Sequence, residues 1–520
     1  MILANFIKYL NLKLISLVLI LSFSSSFISY YPLLVSGPKA VFSNFEPQVA
    51  YIANSFSYMY SGKISYSAHP GTPTIILHAL AIAPLRIYTK FIEKVPFYTW
   101  AINNIQSLFY YLIIVQLLVY TLAVSIFLFS IYNITKKYLV VVFSWFGLLA
   151  YSYMPFLGIV IQSETLSLLI ISIWLLIFTK FIQKRSFLNY IILCALSGLA
   201  VANKLPNIFF IFSSILQVFA FTKFTVKSKI KNLLLGLFVS ITVFVIGTWP
   251  IRGQYKGLFT WIVQLATSSG VHGGGEKTIF SLARYWQSIE IFWIQEKIPF
   301  LLVIGTLLAF VLSIRKNNIK ERTPLMILLI TISLGVAVFL KYPLVHYQLL
   351  QYTALLFVAS YLLSRIFNPI LIIIIGILAI SSLNTATRYL KFNLEQMDRS
   401  INLENFIIKN PPKKGTVWEF GMTEDYTLMH IRDWSGIPFA NFLEQERPTL
   451  FNLTTDMSKV ITGYGKYEDL FNVCWDQLYI QGTEIKKFTA KYPNKIFNFV
   501  QVPYSTRDMY ILYSDHCTKT

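Results

Sequence analysis

The chain has 520 residues, 55% of them hydrophobic and only 13% charged, with a formal net charge of +21. A soluble domain carries about a quarter charged residues, so this composition excludes an ordinary globular protein. Three cysteines exclude a disulfide framework or a cysteine-built zinc cluster. The charge is unevenly placed. Sixteen of the 23 acidic residues follow residue 387, where sixteen basic residues balance them. The excess therefore belongs to the first part of the chain, where short basic loops set membrane topology, and no basic patch coincides with a nucleic-acid recognition motif.

In chain order, Lys8 and Lys13 precede an apolar run over residues 14–34 with no cleavage site, which reads as a retained signal-anchor span. Further runs cover 105–131, 138–155, 158–179, 187–202, 206–222, 232–250, 298–314, 323–340, 347–366 and 369–387. Such runs suit a hydrocarbon layer of ~30 Å, and helices satisfy their own backbone there, so about eleven transmembrane helices are expected. Alternate connections hold the positive charge, including Lys136–Lys137, Lys180–Arg185, Lys223–Lys231 and Arg315–Arg322. The positive-inside rule places these connections and the N-terminus in the cytoplasm.

The same rule puts two long segments, 35–104 and 251–297, on the outer side together with the chain's end. Both segments are too polar to span, and the first contains a short amphipathic piece from Ile75 to Phe91. The fold class expected is a polytopic α-helical membrane domain over 1–387 followed by a small extracytoplasmic α/β domain over 388–520. Candidate strands of that domain are Gly415–Gly421, Thr449–Leu453, Gln477–Gln481, Phe497–Val502 and Met509–Tyr513, with a helical pattern from Gly482 to Tyr492.

The membrane part contains no aspartate and seven glutamates: Glu46, Glu93, Glu164, Glu276, Glu290, Glu296 and Glu321. All but Glu321 fall on the outer side. Glu46 lies just beyond the first span, and the turn His69-Pro70-Gly71-Thr72-Pro73 follows about two dozen residues later. A carboxylate held at the membrane surface can accept a hydroxyl proton, and the His-Pro-Gly turn can shape a sugar or phosphate pocket. A solvated glutamate beside a Pro/Gly turn is the bland alternative. Glu164, in Gln162-Ser163-Glu164, is a functional candidate as an ionisable residue near a span, or a helix-start glutamate favoured by the dipole. Lys204, in Ala202-Asn203-Lys204-Leu205-Pro206, is costly at an apolar hairpin tip unless it reaches an anion or snorkels to the interface.

These residues resemble the GT-C superfamily of polyprenyl-phosphate-dependent glycosyltransferases. The branch most similar holds protein O-mannosyltransferases and lipid A aminoarabinose transferases, and the resemblance is most specific over residues 44–86. It implies a catalytic carboxylate in the first outer loop, which falls on Glu46. This chain has there a lone glutamate followed by Pro47, where the family has an Asp or Asp-Glu. It implies donor-phosphate or substrate roles for His69, Glu164, Lys204 and Arg252, and for Lys341, His346 and Tyr347 in Lys341-Tyr342-Pro343 and His346-Tyr347.

The expected partners are a polyprenyl-phosphate sugar donor, a lipid, glycan or protein acceptor, and membrane lipids. The expected place is a prokaryotic plasma (inner) membrane. A divalent metal ion stays open, because His69, His272 and His346 with Glu46 or Glu164 are candidate ligands without a recognisable ligand spacing. The rival classes are a lipid or glycan flippase or transporter, and a glycan polymerase. A transporter calls for polar breaks near the midplane and inverted repeats, neither of which the sequence offers.

Overall fold

The computed structural model describes residues 12–36, 46–65, 71–268, 277–278, 281–314, 319–342, 344–365 and 368–409. Of the tail it describes 416–418, 428, 431, 435, 437–446, 477–481, 485–486, 489–490, 493, 498–501 and 509–513. The helices used below are α1 (Leu12–Ser36), α2 (Glu46–Ser61), α3 (Thr72–Tyr88), α4 (Phe97–Asn103), α5 (Ile105–Thr135), α6 (Tyr138–Leu149), α7 (Ser163–Gln183) and α8 (Phe187–Asn203). They are followed by α9 (Ile208–Leu216), α10 (Val226–Gly247), α11 (Tyr255–Thr267), α12 (Leu282–Gln295), α13 (Lys297–Ile314), α14 (Ile319–Phe339), α15 (Leu349–Leu363), α16 (Asn368–Lys409) and α17 (Ile437–Glu446). The chain divides into two compact units. One comprises residues 1–30, 66–77 and 114–389, the other 31–65, 78–113 and 390–520.

Among the described residues, six helices are long and apolar enough to cross a membrane: Leu12–Ser36, Thr72–Glu93, Ile105–Thr135, Ser163–Gln183, Val226–Gly247 and Asn368–Asp398. The pair α12 and α13, bent by 111°, makes a seventh if counted as one span. The remaining expected spans coincide with shorter apolar helices, such as the 12 residues of α6 and the 15 of α15. The main departure is Thr72–Glu93. The sequence suggested only an amphipathic piece in a polar loop, but the helix runs through Pro84 and closes in a π-helical turn at Thr89–Glu93. Its exposed Leu80, Ile87, Phe91 and Ile92 make it apolar on its open side as well.

The first unit is a helix bundle in which several buried polar side chains bond to one another or to helix carbonyls across the interior. Ser26 meets Thr121 at 2.6 Å, Trp145 Nε1 donates to Ser25 Oγ at 2.8 Å, and Ser144 meets Ser360 at 2.7 Å. The buried Trp174 stacks on Phe178 at 4.9 Å and donates to Ser214 Oγ at 2.9 Å. Lys136, in the left-handed region at φ 56°, turns the chain between α5 and α6. Helix α10 is open on most sides, with Phe238, Ile241 and Ile246 exposed. It meets α8 through small residues, Gly236 lying against the Tyr190 hydroxyl and Gly198 against the Ser240 carbonyl.

In the second unit, α2 buries Val49, Ala50, Ile52 and Ala53. Its other end is tied by Asn54, whose Oδ1 accepts from the Ser65 N–H at 2.9 Å and the Ser65 hydroxyl at 3.0 Å. Among the described residues the tail holds a four-stranded mixed sheet of β1 (Thr416–Trp418), β2 (Gln477–Gln481), β3 (Phe499–Gln501) and β4 (Met509–Tyr513), ordered β1-β2-β4-β3. β1 pairs with β2 in parallel, and the other two pairings are antiparallel. The expected strand Thr449–Leu453 lies outside the described residues, and of the expected helix from Gly482 to Tyr492 only residues 485–486 and 489–490 are described, as helical. Helix α17 was not anticipated.

A Cβ at position 198 would collide with the Ser240 carbonyl, a backbone atom that a rotamer change cannot move. Gly198→Ala is expected to cost about 1–3 kcal/mol by overpacking, seen as a lower midpoint of thermal unfolding in detergent. Gly305→Ala, where nothing lies within 4 Å of the added carbon, is the matched control and leaves the midpoint unchanged or raises it.

Candidate functional site

The chain reverses between α8 and α9 through Lys204 and the short turn Leu205–Asn207, because Pro206 has no backbone donor to continue a ladder. At this tip Lys204 and Glu164 form a salt bridge, each residue 4% exposed. Glu164 stands in the first turn of α7, where the helix dipole favours a carboxylate, and Ser163 Oγ donates to it at 3.2 Å. The Lys204 ammonium also lies over the ring of Tyr347, 5.1 Å from its centroid.

His346 completes the cluster from the single turn Val345–Tyr347 that precedes α15. Its ring is 4.5 Å from that of Tyr347 and 5.3 Å from that of Tyr153. Tyr153 in turn donates to Gln162 Oε1 at 2.7 Å. Tyr151, whose hydroxyl donates to the Val345 carbonyl at 2.6 Å and whose ring stacks on Tyr352 at 4.8 Å, fixes the turn that carries His346.

Asn203 builds the frame under the ion pair. Its Nδ2 donates to the Ser163 carbonyl at 2.6 Å and to Ser167 Oγ at 2.8 Å, joining α8 to α7. Its Oδ1 accepts from the Thr74 hydroxyl at 2.7 Å and the Thr74 N–H at 3.1 Å, and its carbonyl accepts from the Gly71 N–H at 3.1 Å. Gly71 has φ +47°, which a side chain would disfavour. The Gly71–Thr74 part of the proline-rich turn is thereby locked onto the Lys204 tip.

Two of the other expected site residues have partners of their own. Lys341 Nζ donates to the Leu265 and Ala266 carbonyls at 2.6 and 3.0 Å, and the Tyr342 hydroxyl also donates to Leu265. These close the carbonyl end of α11, a favourable position for a cation, while burial pushes the Lys341 ammonium pKa down. Arg252 lies over the Trp249 ring at 5.0 Å and donates to the Trp249 carbonyl at 3.3 Å, apart from the cluster. His69 and His272 lie outside the described residues. Glu46 begins α2, with its side chain likewise outside them.

Tyr153, Asn203 and Ser152 had no role in the sequence analysis. Glu296, at the α12–α13 bend, is 1% exposed and accepts the Ser152 N–H at 3.0 and 3.1 Å and the Ser152 hydroxyl. Next to it, an apolar cavity of about 60 Å³ is lined by Tyr151, Phe292, Phe300, Tyr352 and Leu355, a lining that suits hydrocarbon. Among the described residues no group of three or more His, Cys, Asp or Glu could hold a metal ion.

No family model and no curated protein matches the sequence. Solved structures do. ArnT from Cupriavidus metallidurans in the apo state superposes with a TM-score of 0.51 at 11% identity, covering 90% of this chain and 93% of that one. The same protein bound to undecaprenyl phosphate gives 0.51 at 12% identity, covering 94% and 97%. The chain has the ArnT fold. It is an integral membrane protein, and the match with ArnT runs through both the helical part and the tail.

Within this ArnT-like frame, removing one partner of the buried pair strands the other charge. Lys204→Met and Glu164→Leu are each expected to lose about 3–5 kcal/mol, and the double variant to regain most of it. Unfolding midpoints of the three variants test this.

Proposed function

We propose that this protein is a GT-C glycosyltransferase that moves a sugar from a polyprenyl-phosphate carrier to an acceptor hydroxyl at the outer membrane face. The observation that carries the reading is the ArnT fold over nine-tenths of the chain, in a neighbour bound to undecaprenyl phosphate. The polyprenyl-phosphate chemistry implied by the GT-C resemblance and the ligand of that neighbour agree. In this reading the long apolar helices of the bundle cross the membrane, with the N-terminus inside and the tail outside, in keeping with the basic loops.

Glu46 serves as general base. It takes the acceptor's hydroxyl proton, the acceptor oxygen bonds to the anomeric carbon, and the bond from that carbon to the carrier phosphate oxygen breaks with inversion. The electron pair leaves on the phosphate. Lys204 is the candidate to meet that charge, since an ammonium has three donors and Glu164 uses only part of them. A fixed cation in a dry site acts without reorganising solvent, the usual source of the largest catalytic effect. His346, Tyr347 and Tyr153 would face the donor's phosphate and sugar hydroxyls. Lys341 and Arg252 have partners that give them structural duties at α11 and Trp249.

The test is incubation of purified protein in detergent with a panel of radiolabelled lipid-linked sugars, scoring label lost from the carrier. Glu46→Gln is expected to abolish transfer, by about 100-fold or more, with expression and unfolding midpoint unchanged. Turnover near the wild-type rate in that variant would remove the mechanism.

A further inference from the structure

We infer that the C-terminal tail is a positioning element for the proposed reaction, acting through an aromatic clamp on α2, the helix that begins at Glu46. The inference rests on the reading of Glu46 as the base. It assigns a role to the tail's α17, which the sequence left without one.

The clamp belongs to a single compact unit and is built from helix faces. On α2, Phe56 and Tyr60 are one turn apart on the same side; on α17, Phe439 and Phe442 likewise share a side. Phe439 stacks on Phe56 with centroids 5.2 Å apart and planes at 18°. Phe442 faces Tyr60 at 5.7 Å. Tyr98 of α4 is wedged edge-on among them, 5.1 Å from Tyr60, 5.6 Å from Phe439 and 5.8 Å from Phe442. The Arg86 guanidinium sits 5.9 Å from the Tyr98 ring. Phe56 and Phe439 are each 2% exposed and Leu443 is fully buried, so a residue some 380 positions later in the chain has become core for α2.

Aromatic pairs in these arrangements contribute about 0.5–1.5 kcal/mol each beyond the area they bury. Ten residues of helix separate Phe56 from Glu46, about 15 Å of stiff backbone, so the clamp sets the axis along which Glu46 is presented. A base displaced by an ångström loses far more in turnover than in donor affinity. Phe439 and Phe442 are positioning residues that touch no substrate; they act through α2.

The experiment uses the full-length protein in detergent or nanodiscs and compares wild type with Phe439→Ala/Phe442→Ala, Phe439→Leu, Phe442→Ala, Glu46→Gln and the exposed-site control Asn441→Ala. Two quantities are read: hydrogen exchange of peptides covering residues 46–61, and kcat and KM for a polyprenyl-phosphate sugar donor. The double alanine variant is expected to exchange faster across α2 and to lose kcat by about tenfold or more with donor KM within about twofold, Phe442→Ala to fall between, and Phe439→Leu to recover most of both. Asn441→Ala changes neither. If α2 exchange is unchanged in Phe442→Ala and the double variant, the clamp is not what holds the helix. If exchange rises while kcat stays at the wild-type value, the clamp holds α2 without serving the reaction. Either result overturns the inference. Full activity in Glu46→Gln would instead sink the assignment of the base, and is scored separately from the exchange data. Should the double variant fail to fold, Phe442→Ala against Phe439→Leu makes the same comparison.

Discussion

The Lys204 tip of the bundle is organised by one ammonium and one carboxylate that must stay together because both have left water. Lys204 and Glu164 come from different helix ends, and a buried charge without its partner costs several kcal/mol. Every nearby feature helps to keep that distance short. The dipole of α7 holds Glu164, the Tyr347 ring supports Lys204, and Asn203 joins the α7, α8 and Gly71–Thr74 backbones. Such a pair adds little net stability over apolar packing. Its value is geometric: it fixes a charged, donor-rich group in a dry setting beside His346.

Several parts of this arrangement were legible in the sequence. The apolar runs announced nearly every helix of the bundle, because a lipid-facing helix has no polar face to blur its limits. Lys204 was legible as a charge out of place in an apolar hairpin, and Glu164 as a helix-start acid. Their pairing was not, since the two are 40 positions apart and only interhelical packing joins them. Tyr153 and Asn203 escaped for the same reason: a tyrosine or asparagine at an interface looks ordinary until its partner is known. Lys341 shows the converse. Its Lys-Tyr-Pro context was visible, but its partners are backbone carbonyls at the end of α11, which no side-chain pattern marks. In the sequence the run at Thr72–Glu93 shows only as an amphipathic piece from Ile75 to Phe91 within a segment too polar to span. Apolar residues on its remaining sides carried the helix through.

The tail was the least legible region. Of its expected strands, Gln477–Gln481 and Met509–Tyr513 pair antiparallel at the centre of the sheet. Helix α17 has only ten residues with Pro438 at its second position, too short for its Phe439, Phe442 and Leu443 to establish a period. Its importance lies in what it packs against, and that is set by tertiary structure.

The short helices have a consequence for the membrane itself. Helix α8 has 17 residues and α15 has 15, giving rods of about 25 and 22 Å, less than the ~30 Å of a typical hydrocarbon layer. Lys204 directly follows the first, and the turn carrying His346 and Tyr347 precedes the second by one residue, so both shortfalls act on one polar patch. In the proposed reading, where both helices span, the bilayer dimples to meet that patch or lets water down to it. A lipid headgroup drifting into such a depression would descend towards the buried charges, with its tail still among its neighbours' tails.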